Sequence, residues 1–487
     1  MYIIMVSSEC APVAKVGGLG DVVHGLAREL QLRNNHVEVI LPMYDCLRYD
    51  QIYGLDKCYS DLWVPFYNQW IRCDIFSGNV DHIPCLFIKP LSHQNFFDRG
   101  IFYGHNDDPA RFALFSRAVM EFIYKSGRNP DILHCHDWQT GLIPTLLYEI
   151  YQPMGMGHPR VCYTLHNVKH QGITGPQTLD QCGLGRHLMS RDKLGDHTHN
   201  GAVNLMKGGI VYANFTTTVS PRYAEEIKHS DLGCGLQSTL SQHAGKFGGV
   251  LNGIDYGSWN PEVDKYIPHR YSATTFEGKF ANKKALRGRL LLQDKFKPIV
   301  AVISRLDPQK GVQLISHSVF YSLANNAQFV LLGAGSDHNI NHHFYRLKEG
   351  LNDNPDCHLE IGYDEQLSHL IYAGADIFVI PSAFEPCGLT QLIAMKYGVV
   401  PVVRSTGGLA DTVFDANFAH KPYEERTGYT FENFDNAGLE SALGRAIGLW
   451  YKFPRYFHQL RINAMNQDYS WNRSGQNYMN IYNHIKK

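Results

Sequence analysis

Two doubly wound α/β domains in tandem, each built on a parallel sheet, are the fold class this sequence predicts, and three observations predict it. Short runs rich in Val, Ile and Leu recur along the chain, each handing over through a glycine-bearing loop to apolar residues at helical spacing. That rhythm breaks in a glycine cluster near residue 245 and then restarts. At 487 residues the chain is too long for one ordinary core.

In chain order, Tyr2–Ser8 reads as the first strand, and Lys15-Val16-Gly17-Gly18-Leu19-Gly20-Asp21 as a loop feeding a helix faced by Val22, Val23, Leu26 and Leu30. Val37–Leu41 is the second strand. A dinucleotide fingerprint fails here, because Gly18-x-Gly20-x-x-Val23 lacks its third glycine. A lysine beside paired glycines at a helix start suits an anion better. Strands at Ile83–Ile88, Ile132–His136, Val161–Leu165 and Phe215–Ser220 follow, with a helix over Ala110–Tyr124. Alternation puts His134 and His136 on one face of their strand, but no third ligand stands at a telling spacing, so zinc is not expected. Asp137-Trp138 and His166-Asn167 end neighbouring strands, where α/β enzymes keep their chemistry.

Lys246-Phe247-Gly248-Gly249 and Leu251-Asn252-Gly253 interrupt the alternation, so the domains are read as 1–245 and 246–465, with a closing helix in 466–487. Strands resume at Pro298–Arg305, Phe329–Gly333, Leu359–Tyr363 and Ala375–Ile380. The last of these leads into Ser382-Ala383-Phe384-Glu385-Pro386-Cys387-Gly388-Leu389-Thr390-Gln391. Pro386 is expected in the first turn of a helix that Gly398 stops, with Gly388 and Thr390 offering free amides to a diphosphate and Glu385 accepting from sugar hydroxyls. Val399–Val403 ends likewise in Arg404-Ser405-Thr406-Gly407-Gly408. Two such loops side by side make a nucleotide crevice.

Composition excludes other classes. Lys+Arg 45 against Asp+Glu 46 leaves no basic footprint for nucleic acid. No apolar run approaches the roughly 20 residues of a membrane span, and a strand beginning at Tyr2 leaves no room for a targeting peptide. Eleven cysteines without a CxxC pair fit buried thiols in a reducing compartment, so a cytoplasmic location, bacterial cytosol or plastid stroma, is expected.

Lys15-Val16-Gly17-Gly18-Leu19, His136-Asp137-Trp138, His166-Asn167 with Gln171-Gly172, Leu251-Asn252-Gly253, Ser304-Arg305-Leu306 with Gln309-Lys310-Gly311, Phe384–Leu389 and Ser405–Leu409 together resemble the glycogen/starch synthases. The motifs run from the first strand to the last helix in that family's order. The resemblance implies retaining glucosyltransferases of the GT-B fold, with an active-site cleft between two Rossmann-like domains. It implies ADP-glucose as donor, an α-1,4-glucan as acceptor on the N-terminal half, and a last helix crossing back to that half. In the wider GT-B superfamily a second glutamate often follows the first by eight positions. Here that place is Ile393, as in the synthases, which leaves ribose recognition unassigned.

Departure of a nucleoside diphosphate builds charge that must be neutralised. The sequence holds no D-x-D pair, so no metal or other cofactor is expected, and the charge falls to Arg305, Lys310 and Lys15 with the amides of Gly388, Thr390, Thr406 and Gly407. By the same resemblance Glu385 holds sugar hydroxyls, His166 sits over the sugar near its 6-hydroxyl, and Asp137 orients that histidine or the acceptor. Asn167 contacts the sugar, and Asn252 and Tyr363 line an adenosine pocket. Gly17, Gly18, Asp21, Cys387, Leu389 and Gly408 complete the expected substrate contacts.

Overall fold

A computed structural model describes residues 1–487, and the chain forms two units, Met1–Gly253 with Trp471–Lys487, and Ile254–Ser470. The strands of the first are β1 Tyr2–Val6, β2 His36–Pro42, β3 Tyr53–Phe66, β4 Gln69–Val80, β5 Ile83–Leu91, β6 Ile132–His136, β7 Arg160–Leu165, β8 Ile173–Thr174, β9 Val203–Asn204, β10 Phe215–Thr218 and β11 Phe247–Gly249. Nine make one sheet in the order β11-β10-β7-β6-β1-β2-β5-β4-β3, while β8 and β9 pair apart from it. The β3–β4 and β4–β5 pairs are antiparallel and the rest of the large sheet is parallel. Central β1 is apolar because both its faces are covered: Ile3, Ile4, Met5 and Val6 are all buried, each contributing about 1.5–3 kcal/mol of transfer free energy.

The strand order reverses at β1, with β6 on one side and β2 on the other. A reversal opens a crevice beyond the strands' carboxyl ends, and the loops after β1, β6 and β7 carry Lys15–Asp21, Asp137 and His166. The helix Trp471–Lys486 belongs to this unit and buries Trp471, Tyr478 and Tyr482. A Cβ at Gly25 would run into the Trp471 indole, so that glycine admits the close approach of the two helices. Ser474 donates to the Leu251 carbonyl at 2.5 Å, and Lys486 pairs with Asp131 at 2.8 Å.

The first unit extends beyond the boundary read at 245. Gly248 and Gly249 belong to β11, which pairs with β10, and a Cβ at Gly249 would strike the Ser220 backbone. Gly249 thus admits the close approach of β11 to the Ser220 backbone. The return to this unit likewise begins at Trp471 and not at 466.

The second unit has β12 Ile299–Arg305, β13 Gln328–Ala334, β14 Cys357–Ile361, β15 Ile377–Ile380, β16 Val400–Arg404 and β17 Tyr429–Phe431, all parallel, in the order β14-β13-β12-β15-β16-β17. Its order reverses between β12 and β15. Buried Asp376 ties the two together, accepting from the Ile299 amide at 2.7 Å while pairing with Lys283 at 2.6 Å and with Arg461. No helix of the chain is long and apolar enough to cross a membrane.

Candidate active site

In the second unit the loop after β12 and the loop after β15 are knitted together. The Ala383 amide donates to the Gln309 carbonyl at 2.8 Å, and Gln309 Nε2 donates to the Phe384 carbonyl at 3.3 Å. Gly311, at φ +73°, lies where a Cβ would meet the Pro381 carbonyl. This splice sets Lys310 Nζ 2.6 Å from Glu385 Oε2, which also accepts from Ser382 Oγ at 2.9 Å. Glu385 is only 6% exposed. The sequence reading gave the two residues separate tasks on phosphate and sugar. The structure pairs them, because a carboxylate buried this deeply needs a cation. Arg305 is exposed, its guanidinium 3.6 Å from Asp307, and is open to solvent where an anion could approach.

The handover after Glu385 also differs from expectation. Gly388 takes φ +73° and breaks the helical path, so the helix is Thr390–Lys396 and Pro386 lies outside it. The amides of Gly388, Leu389 and Thr390 make no hydrogen bond within the protein. The amides of the next loop are partly spent: Thr406 donates to the Arg404 carbonyl at 3.0 Å, and Gly408 to the Glu385 and Pro386 carbonyls at 3.1 and 3.2 Å. Side chains at Gly407 and Gly408 would collide with the Glu385 and Cys387 carbonyls. Both glycines let the two loops interlock, and Thr406 and Gly408 do not offer free amides. Gln391 Nε2, buried, donates to the Cys387 and Gly388 carbonyls at 2.9 Å each and braces the turn. Tyr363 is 84% exposed in the loop after β14.

In the first unit Glu9, buried and unforeseen in sequence, organises the glycine loop. Its Oε2 accepts from the Val16 and Gly17 amides at 2.7 and 3.1 Å, and its Oε1 from the Tyr103 hydroxyl at 2.8 Å. The helix Gly18–Leu32 starts from Gly17, above which no atom lies within 4 Å of a hypothetical Cβ. Lys15 Nζ sits 2.8 Å from Asp21 in an exposed pair, worth little as a stabiliser.

Asp137, at φ +56°, orients His166 through the main chain: its Oδ1 accepts the His166 amide at 2.7 Å. Burial pushes its carboxyl up to about 7, against the opposing pull of the His166 and Asn167 amides. The His166 ring partners His136, Nε2 to Nδ1 at 3.0 Å, and burial lowers His166 to about 3, so the ring is neutral. His134 has both nitrogens engaged, by Thr164 and Tyr482 at 2.7 Å each, and no cluster of metal ligands forms. Asn167 Oδ1 accepts the Lys169 amide at 3.0 Å, an Asx turn that commits this oxygen to its own loop. Gly172, at φ +64°, lies under the Trp138 ring, while buried Gln171 donates through Nε2 to the Val168 and Cys234 carbonyls at 2.8 and 2.9 Å, so both residues have structural parts here. Asn252 closes the first unit and not the second, buried at 5% exposure with Oδ1 unpartnered.

Two Rossmann-like units with parallel sheets, each carrying charged and glycine-rich loops at its strand-order reversal, define a glycosyltransferase of the GT-B fold. A family model described as starch synthase catalytic domain matches residues 2–242, and one described as glycosyl transferases group 1 matches 284–456. Glycogen synthase 1 of Nitrosococcus oceani is 60% identical, covering 100% of both chains, and glycogen synthase 2 of Methylococcus capsulatus is 61% identical, covering 99% of each. The solved catalytic domain of starch synthase IV from Arabidopsis thaliana, bound to ADP and acarbose, is 43% identical and superposes with TM-score 0.96 over 100% of this chain and 99% of that one. The chain belongs to the glycogen/starch synthase family.

Proposed function

We propose that this enzyme transfers glucose from ADP-glucose to the 4-hydroxyl at the non-reducing end of an α-1,4-glucan, with retention of configuration and without a metal ion. The observation that supports this reading best is the buried Glu385–Lys310 pair at the strand-order reversal of the second unit, beside three unspent amides. The diphosphate lies on the Gly388–Thr390 amides, with Arg305 and Lys310 drawing off its charge and Lys15 as a further cation. Glu385 accepts from sugar hydroxyls, and Lys310, hydrogen-bonded to that carboxylate, couples sugar binding to phosphate neutralisation. ADP as leaving group also accords with the ADP bound to starch synthase IV.

The glucan acceptor is assigned to the first unit, where neutral His166 hydrogen-bonds to the donor sugar near its 6-hydroxyl and Asp137 holds the His166 main chain. The glycosyl C1–O bond to phosphate breaks as the acceptor 4-oxygen bonds to the same face of C1. The acceptor proton passes to the departing diphosphate oxygen, so no covalent enzyme intermediate is needed. The eleven free thiols suit a reducing compartment, and we place the enzyme in cytosol or plastid stroma.

Incubation of the protein with glycogen and radiolabelled ADP-glucose or UDP-glucose tests the reading. Label entering α-1,4-linked polymer from ADP-glucose, and its loss by orders of magnitude in Glu385→Ala, are expected. No incorporation from either donor, or near-normal turnover in Glu385→Ala, overturns it.

A further inference from the structure

The buried histidines beside Asp137 carry an assignment that the catalytic reading leaves open. His136 is fully buried, with Nδ1 3.0 Å from His166 Nε2 and its own Nε2 facing no partner. One of the two facing nitrogens must carry the proton. If His166 carried it, His136 would accept at Nδ1 and bury an unsatisfied N–H at Nε2. If His136 carries it, the atom left over is a bare ring lone pair, the cheaper orphan. His136 therefore donates from Nδ1, His166 accepts at Nε2, and the His166 proton lies on Nδ1, which makes no hydrogen bond within the protein.

A third histidine packs behind this pair and holds the His136 ring in place. His134 lies against His136 with ring centroids 4.2 Å apart. Both His134 nitrogens are used: the Tyr482 hydroxyl lies 2.7 Å from Nδ1, and Nε2 lies 2.7 Å from Thr164 Oγ1, itself 2.6 Å from Thr217 Oγ1. Tyr482 stands on the helix that returns to this unit, so the last helix braces His134 behind His136.

We propose that His136 is a positioning residue that fixes the tautomer of His166, so that His166 offers Nδ1–H as a donor to the hydroxyl of the bound sugar. The proposal rests on the placement of His166 at the sugar. All three rings are neutral near pH 7, since burial lowers them, so the tautomer and not the charge sets what His166 offers.

The test combines ring-nitrogen NMR of 15N-histidine protein, His166 being assigned by the signal lost in His166→Gln, with kinetics of His136→Leu and His136→Asn. The expected wild-type spectrum has His166 protonated at Nδ1. His136→Leu should lower kcat about ten- to hundredfold, the scale of one lost hydrogen bond, with donor KM nearly unchanged and the tautomer released. His136→Asn, whose amide N–H occupies the Nδ1 position, should restore most of kcat. A wild-type His166 protonated at Nε2 overturns the proposal even if His136→Leu fails to fold. Loss of activity in His166→Gln with normal kcat in a folded His136→Leu overturns the proposal alone. Normal kcat in His166→Gln overturns the site placement and the proposal with it.

Discussion

Replacing Lys310 with Met leaves the Glu385 carboxylate buried with Ser382 Oγ as its remaining partner. Breaking a buried ion pair costs about 3–5 kcal/mol. Lys310 keeps 18% side-chain exposure and the serine bond survives, so the lower end, about 3 kcal/mol, applies. For a unit the size of Ile254–Ser470, each kcal/mol moves Tm by about 2–4 °C, giving a fall of about 6–12 °C at pH 8. The deficit should shrink at pH 5. An unpaired buried carboxyl titrates above its unfolded value, so the folded variant gains stability as pH falls and loses it as pH rises. Lys310→Met/Glu385→Gln should recover part of the loss at pH 8. Scanning calorimetry of the full chain at both pH values, alongside turnover, measures this. A Tm at pH 8 within about 2 °C of wild type, or an equal deficit at both pH values, would refute the claim that the pair is buried and coupled.

Two further outcomes follow from the first unit. Asp137, raised to about 7 in the folded state by burial, holds a proton there that the unfolded chain has released. Its contribution to stability is therefore present below about pH 4 and is lost as pH rises through 7. Asn at this position still accepts the His166 amide, so the Tm of Asp137→Asn relative to wild type should climb between pH 5 and pH 8; a flat or falling difference contradicts the assignment. Glu9→Ala removes the acceptor shared by the Val16 and Gly17 amides and should cut kcat/KM about tenfold or more with the fold intact, whereas Glu9→Gln should keep part of it. Equal kinetics in Glu9→Ala and wild type would show the loop to be set by other contacts.

What sequence revealed, and what it hid, follows from range. Strands buried on both faces, such as β1 and β12, stand out as continuous apolar runs because nothing polar interrupts them. The β3–β4 hairpin escaped notice, since exposed Tyr53, Lys57, Asp61, Trp63, Trp70 and Arg72 break any simple pattern. Glycines at 407 and 408 are equally suited to cradling phosphate and to admitting another loop, and only the Glu385 and Cys387 carbonyls beside them decide. The cations Arg305 and Lys310 and the carboxylate Glu385 were legible from their places at strand ends, but not the bond joining Lys310 to Glu385 across 75 positions. Glu9 gave no local signal, because its partners lie seven and eight residues on. His136 was visible on one face with His134, while its bond to His166 depends on the pairing of β6 with β7.

The most direct measurement is the rate of glucan elongation from ADP-glucose in chelator-treated wild type and in Arg305→Ala. Charge neutralisation by side-chain cations in place of a metal ion predicts an undiminished wild-type rate under chelation and a kcat lowered by orders of magnitude in the variant. Elongation abolished by the chelator and restored by a divalent ion, with Arg305→Ala near normal, would contradict it.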